Sequence, residues 1–101
     1  MGGSDISAAT APILLTSFVT IRNQRGLHAR AAARLVKIVD RFDAEIVVRK
    51  GELSASGRSI MGLMMLAAVQ GCELELSATG RDAAAALAAV VEFIGRRFDE
   101  D

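Results

Sequence analysis

Residues 26–30 read Gly-Leu-His-Ala-Arg, and this stretch joins a β-patterned segment to a helical one. A polar run over residues 22–26 ends the strand pattern, and a helical pattern begins at Ala29. His28, the single histidine of the chain, is therefore expected at the N-cap of a helix or next to it. The first N–H groups of a helix have no partner within the helix, and the helix dipole adds partial positive charge there. The sequence thus predicts an anion site beside an imidazole.

Arg30 strengthens this interpretation because it lies in the predicted first turn, where a cation is unfavourable for the helix dipole. A residue that breaks a local rule is a hint of function. The imidazole of His28, the backbone N–H groups of Ala29 and Arg30, and the Arg30 guanidinium could together hold a phosphoryl group. A histidine at a helix start can also be an ordinary cap or surface residue, so these residues alone leave both interpretations open.

Outward from this stretch, the pattern predicts four strands and three helices in the order β-α-β-β-α-β-α. Strands are expected at residues 16–21, 44–50, 53–56 and 72–78, and helices at residues 29 to 41 or 42, 60 to about 69, and 83 to about 97. The last strand alternates cleanly, with Leu74 directed inward and Glu75 outward, which indicates a sheet with one wet face. We therefore expect an α+β fold, an open-faced β-sandwich in which three helices cover one face of a four-stranded antiparallel sheet.

A second stretch, residues 59–64, reads Ser-Ile-Met-Gly-Leu-Met. Together with residues 26–30 it resembles the HPr family, the histidine phosphocarriers of the phosphoenolpyruvate-dependent phosphotransferase system, whose fold is the same open-faced sandwich. The two stretches match the phosphorylated-histidine and regulatory-serine signatures at a fitting spacing, within a resemblance that covers residues 18–98. Ala31 stands where the family usually has proline. At this position the sequence is more similar to the nitrogen-related, regulatory branch of the family in proteobacteria than to the sugar-transport members.

The resemblance implies a stoichiometric carrier rather than an enzyme, and no cofactor. His28 would accept a phosphoryl group on its δ nitrogen from enzyme I, ultimately from phosphoenolpyruvate, and pass it to an enzyme IIA protein. Arg30 and the N–H groups of Ala29 and Arg30 would stabilise that group. Ser59 would be phosphorylated by HPr kinase/phosphorylase, although a serine at a helix N-cap is also common for structural reasons.

The helix predicted after Ser59 is apolar almost all round. Three of its residues are expected to face the sheet, namely Leu63, Leu66 and Ala67. Three further apolar residues of the helix, Ile60, Met61 and Met64, would form a docking surface. Arg58, Arg25 and Arg30 would form a basic rim around it. The methionines could instead fill gaps in the core. Two alternatives to the relay remain: a regulatory binding module whose partners read its phosphorylation state, and an α/β domain without phosphate chemistry.

Composition limits the other classes of function. The chain has 101 residues, enough for one domain, with 12 basic and 12 acidic side chains and no Tyr or Trp, which argues against nucleic-acid binding. One histidine and one cysteine, Cys72, argue against a metal site, and Cys72 is interpreted as a small core residue. Residues 1–15 are predicted to be a flexible tail ahead of a domain at 16–101, and the acidic residues 99–101 to be frayed. The apolar run at residues 13–15 is too short for a signal sequence or a membrane span, so we expect a cytoplasmic protein without membrane insertion.

Overall fold

The computed structural model describes residues 14–100. Its elements are β1 (Leu15–Thr20), α1 (Ala29–Val39), β2 (Glu45–Lys50), β3 (Leu53–Ser56), α2 (Ile60–Met65), β4 (Glu73–Thr79), α3 (Ala83–Gly95) and a closing 3₁₀ turn (Arg97–Asp99). The strands form one antiparallel sheet in the order β1-β4-β2-β3. The predicted α+β fold and element order are confirmed. Most of the predicted tail lies outside the described residues, and Leu15 already belongs to β1.

The core lies between the sheet and the helices. In the central strand β4, Leu74, Leu76 and Ala78 are fully buried, as the alternation predicts. Helices α1 and α3 bury their apolar stripes in the same core, with Leu35 and Ile94 fully enclosed. Burial of one such leucine or isoleucine contributes about 1.5–3 kcal/mol, so the helix-to-sheet layer is the main source of stability. No helix within residues 14–100 is both long enough and apolar enough to cross a membrane.

The opposite face of the sheet is open, as expected. Phe18 in β1 is 61 % exposed, and Glu45 in β2 is exposed as well. Arg49 lies opposite Glu75 in the register, with 4.0 Å between the Arg49 Nε and Glu75 Oε1 atoms. The three helices and the site described below therefore belong to one side of the sheet.

Helix α2 is shorter than the sequence predicts, and a side chain from β2 caps its end. The Lys50 Nζ atom donates to the carbonyl oxygens of Leu66 (3.0 Å) and Ala67 (3.2 Å), which follow the last helical residue and have no N–H partner within the helix. Ala67 leaves the helical conformation with φ +52° and is exposed, so its expected inward position is wrong. Ala68 is buried in its place.

The turn before α1 rests directly on the end of α2. Gly26 has φ +67°, and the Leu27 N–H donates to the Ala68 carbonyl oxygen at 2.9 Å. A Cβ atom at position 26 would lie 2.3 Å from that oxygen. Glycine is therefore required at position 26 for two reasons, its backbone angle and this close approach.

We expect Gly26→Ala to lower the free energy of unfolding by more than about 2 kcal/mol, because the strained φ and a backbone clash act together. Gly51→Ala is the matched control, since Gly51 has φ +60° but nothing within 4 Å of the added Cβ. It should cost about 1 kcal/mol, the conformational part alone. Urea unfolding of the two variants measures both values, and equal losses would contradict the role of the close approach.

Candidate functional site

His28 is the N-cap residue of α1, as predicted from the sequence. Its backbone is extended (φ −80°, ψ 177°), and its side chain makes no capping hydrogen bond. The side chain is only 13 % exposed. Because the ring does not cap the helix, its two nitrogens are available for other partners.

The C-terminal end of the described chain supplies one of those partners. The Glu100 Oε2 atom lies 2.6 Å from His28 Nε2, and Glu100 Oε1 accepts from Asn23 Nδ2 at 2.8 Å. Asn23 is 2 % exposed, and its Nδ2 atom also donates to the Gly26 carbonyl oxygen at 2.8 Å. Its Oδ1 atom accepts no hydrogen bond within the described residues, so the two donor contacts fix the amide. Asn23 and Glu100 thus brace the imidazole from one side.

The hydrogen bonds of Glu100 favour its ionised form. The hydrogen bond from His28 is the main reason that the pKa of the Glu100 carboxyl lies below its ordinary value. The hydrogen bond from Asn23 and the positive charge of Arg25 lower this pKa further. An ionised carboxylate can only accept hydrogen bonds, so His28 Nε2 must carry the proton. The lone pair of the neutral ring is then on Nδ1.

Glu100 was not among the site residues expected from the sequence, and the expectation of a frayed end is wrong for Asp99 and Glu100. Phe98 holds this end of the chain in place, because it is fully buried and packs edge-to-face on Phe93 with 5.4 Å between ring centroids. Asp99 is also held, because the Arg96 Nε atom donates to its Oδ1 at 2.8 Å. An aromatic residue just before an acidic end was the available signal, and residue 101 lies outside the described part of the chain.

The backbone that carries Glu100 into the site is strained. Arg97, Phe98 and Asp99 all have left-handed conformations, with φ of 60°, 55° and 59°. Each such non-glycine residue costs on the order of 1 kcal/mol or more, so surrounding contacts must hold the turn. One of them comes from α1, where Arg34 Nη1 donates to the Phe98 carbonyl oxygen at 3.0 Å.

Basic side chains surround the accessible side of the imidazole. Arg25, Arg30 and Arg34 line one shallow pocket together with His28 and Glu100. Arg30 is exposed, and none of the hydrogen bonds or ion pairs within residues 14–100 involves its side chain. The N–H groups of Ala29 and Arg30 lie in the first turn of α1, where a helix offers them no acceptor. The structure therefore brings together the site residues predicted around His28.

The second predicted stretch starts α2. The Ser59 Oγ atom accepts from the Gly62 N–H at 2.9 Å, so Ser59 is the N-cap of α2 as predicted. The Arg58 guanidinium is bonded to Asp40 Oδ1 (3.1 Å) and to the carbonyl oxygens of Phe42 (3.2 Å) and Ala44 (2.8 Å). It closes the end of α1, and its place on a docking rim stays a prediction.

Apolar side chains on and after α2 are exposed to solvent. This methionine patch consists of Ile60 (41 %), Met61 (70 %), Met64 (42 %), Met65 (73 %) and Val69 (65 %). The sequence indicated the first three, while Met65 and Val69 were not among the residues expected there. The exposure rules out the alternative that Met61 and Met64 fill the core.

Comparison with known proteins now decides the family. The family described as "PTS HPr component phosphorylation site" matches residues 15–96. This chain belongs to the HPr family. HPr proteins are phosphocarriers of the phosphotransferase system, and this chain is a carrier of that type.

This chain is similar to relatives that carry two different names, NPr and HPr. Phosphocarrier protein NPr of Shewanella violacea is 46 % identical over 82 residues, which cover 81 % of this chain and 90 % of the relative. Phosphocarrier protein HPr of Pseudomonas aeruginosa is 47 % identical over 83 residues, covering 81 % and 92 %. The crystal structure of HPr from Thermoanaerobacter tengcongensis is 38 % identical, with a TM-score of 0.82 over 86 % of this chain and 98 % of that one.

The bond between Glu100 and His28 should make stability depend on pH. The pKa of Glu100 is lowered in the folded state, so its stabilising effect is complete above the unfolded pKa and is lost as pH falls through the folded pKa. Glu100→Gln should lower the free energy of unfolding at pH 7 by about 1 kcal/mol, and the difference from wild type should vanish in acid. Urea unfolding at neutral and at acidic pH measures this difference. Glu52→Gln in the exposed β2–β3 turn controls for loss of one negative charge, and a pH-independent difference for Glu100→Gln would refute the expectation.

Proposed function

We propose that His28 accepts a phosphoryl group on Nδ1 from phosphorylated enzyme I, ultimately from phosphoenolpyruvate, and passes it to an enzyme IIA protein in the cytoplasm. The observation that carries the proposal is the 2.6 Å contact between His28 Nε2 and the Glu100 carboxylate. It holds the proton on Nε2, so the nucleophilic lone pair is on Nδ1.

The chemistry of this transfer needs little from the carrier. The Nδ1 lone pair attacks phosphorus, the bond between phosphorus and the donor breaks, and the Nδ1–phosphorus bond forms. The Nε2 proton stays in place, so the ring gains positive charge that the adjacent Glu100 carboxylate offsets. Transfer to the acceptor reverses these changes, and the lone pair returns to Nδ1.

The phosphoryl oxygens would meet Arg30 and the first-turn N–H groups of Ala29 and Arg30. Support for this comes from the absence of any hydrogen bond or ion pair from the Arg30 side chain within residues 14–100. At an exposed helix start each contact is worth about 1 kcal/mol or less, so the group is held weakly. Weak holding suits a carrier, which must release its group to the next protein.

Labelling with radioactive phosphoenolpyruvate and enzyme I tests this proposal. The wild-type protein should take up acid-labile, hydroxylamine-sensitive phosphate, and His28→Ala should take up none. Arg30→Met should still be labelled but up to about fivefold more slowly, as expected for loss of one exposed contact worth about 1 kcal/mol or less. Arg41→Met, an exposed cation beyond the end of α1, is the control and should react at the wild-type rate. Equal labelling of wild type and His28→Ala would end the proposal.

The methionine patch would be the surface on which enzyme I and enzyme IIA dock. Unbranched, polarisable methionines adapt to partners of different shape, which suits a carrier that must meet a donor and an acceptor. The patch is connected to the turn before His28 through the bond from the Leu27 N–H to the Ala68 carbonyl oxygen. Arg25, which lines the His28 pocket, would favour an acidic partner surface beside it.

Ser59 would regulate this docking as the substrate of an HPr kinase/phosphorylase. It is half-buried at the start of α2, directly before Ile60 and Met61 of the methionine patch. A phosphoryl group there places about −1.5 to −2 charges beside an apolar docking surface, so binding should weaken while the fold survives. The second candidate function, a regulatory module without relay flux, would use the same patch and the same serine.

Ser59→Asp should raise the KM of enzyme I for this protein while leaving the maximal rate nearly unchanged, because the added charge opposes docking and does not touch the imidazole. Aspartate is also a good N-cap, so unfolding should change little, whereas Ser59→Ala should cost about 1 kcal/mol of stability. Steady-state transfer kinetics and urea unfolding provide the two readouts. An unchanged KM would exclude regulation through Ser59. Partner binding that depends on Ser59 in a His28→Ala background would favour the regulatory module.

A further inference from the structure

The C-terminal strap, residues 97–100, reaches His28 through a conformation that it would not hold alone. Three successive residues without glycine have left-handed backbone angles. Isolated L-residues avoid this region, and runs of them are rarer still. Contacts from outside the strap must therefore fix its shape.

Contacts from the core, from Arg96 and from α1 do so. The buried Phe98 ring anchors the middle of the strap in the core. The peptide between Phe98 and Asp99 is held at both of its polar atoms: the Asp99 N–H donates to the Arg96 carbonyl oxygen at 3.1 Å, and the Phe98 carbonyl oxygen accepts from Arg34 Nη1 at 3.0 Å. The orientation of this peptide sets the direction in which Glu100, two residues later, leaves the strap.

Arg34 and His28 belong to the same rigid element. His28 caps α1, and Arg34 lies six residues further along it. Long side chains on a helix point back toward its N-terminus, so the Arg34 guanidinium extends toward the first turn. Helix α1 thus contacts the strap twice, with Arg34 at the Phe98 carbonyl and with His28 at the Glu100 carboxylate.

We infer that Arg34 is a positioning residue, which holds the strap so that Glu100 remains on His28 Nε2 and the lone pair remains on Nδ1. This inference rests on the proposed carrier function. The contacts favour positioning over direct phosphoryl binding, because the guanidinium of Arg34 is already bonded to the strap while Arg30 has no such bond within the described residues. The ionisable side chains that share the pocket with Arg34 are Arg25, His28, Arg30, Asp99 and Glu100.

The tautomer of His28 in the unphosphorylated protein provides the first test. Two-bond ¹H–¹⁵N spectra distinguish a ring protonated on Nε2 from one protonated on Nδ1. Wild type should show the Nε2–H form, and both Arg34→Gln and Glu100→Gln should shift the ring toward the mixture of a free imidazole. Arg34→Lys, which retains a long, charged donor, should recover part of the signal. Lys37→Gln removes the same charge one turn further along α1, where Lys37 is exposed, and should have no effect.

The second test separates positioning from phosphoryl binding. Arg34→Gln should slow transfer from enzyme I by about fivefold in the wild-type background and cause no further loss in the Glu100→Gln background. Equal losses in both backgrounds, or a wild-type tautomer in a folded Arg34→Gln protein, would overturn the inference. If the wild-type protein took up no phosphate at all, the carrier proposal would fail, while the tautomer measurement would still decide the role of Arg34.

Discussion

The hydrogen bond between the His28 ring and the Glu100 carboxylate is the interaction on which the site depends. It joins residues 72 positions apart, at a distance of 2.6 Å. The two side chains meet only in the folded protein, because His28 is positioned by the start of α1 and Glu100 by the strained turn after α3. In the neutral ring, the bond replaces exchange between two tautomers with one arrangement, in which Nε2 is the donor and Nδ1 carries the lone pair.

The rest of the fold can be understood as support for that bond. The buried core packs α1 and α3 on the same side of the sheet, so the start of one helix and the end of the other meet. Phe98 connects the strap to this core through Phe93 of α3, and Asn23 connects the turn before α1 to Glu100. The turn, α1 and the strap thereby meet at one ring, and α3 anchors the strap. A site of this kind needs a well-packed core more than it needs unusual residues.

The parts that the sequence predicted correctly are those with local causes. The order of elements, the N-cap positions of His28 and Ser59, and the wet face of the sheet follow from periodicity and from capping preferences within a few residues. The parts it missed have distant causes. Helix α2 ends at Met65, and the carbonyl groups that follow are bound by Lys50, sixteen residues before Leu66. Glu100 and Arg34 became part of the site only through contacts that a linear pattern does not contain.

The end of α2 has a consequence for how the protein meets other molecules. Three successive carbonyl groups, those of Leu66, Ala67 and Ala68, accept hydrogen bonds from β2 and from the turn before α1. The surface formed by Met61, Met65 and their neighbours is therefore preorganised relative to the imidazole rather than hinged to it. A preorganised surface loses little conformational entropy when a partner binds. A complex with good shape complementarity therefore does not also have to be tight. If this surface docks partners as proposed, specific encounters can be short-lived, and fast dissociation lets one carrier serve a donor and an acceptor in turn.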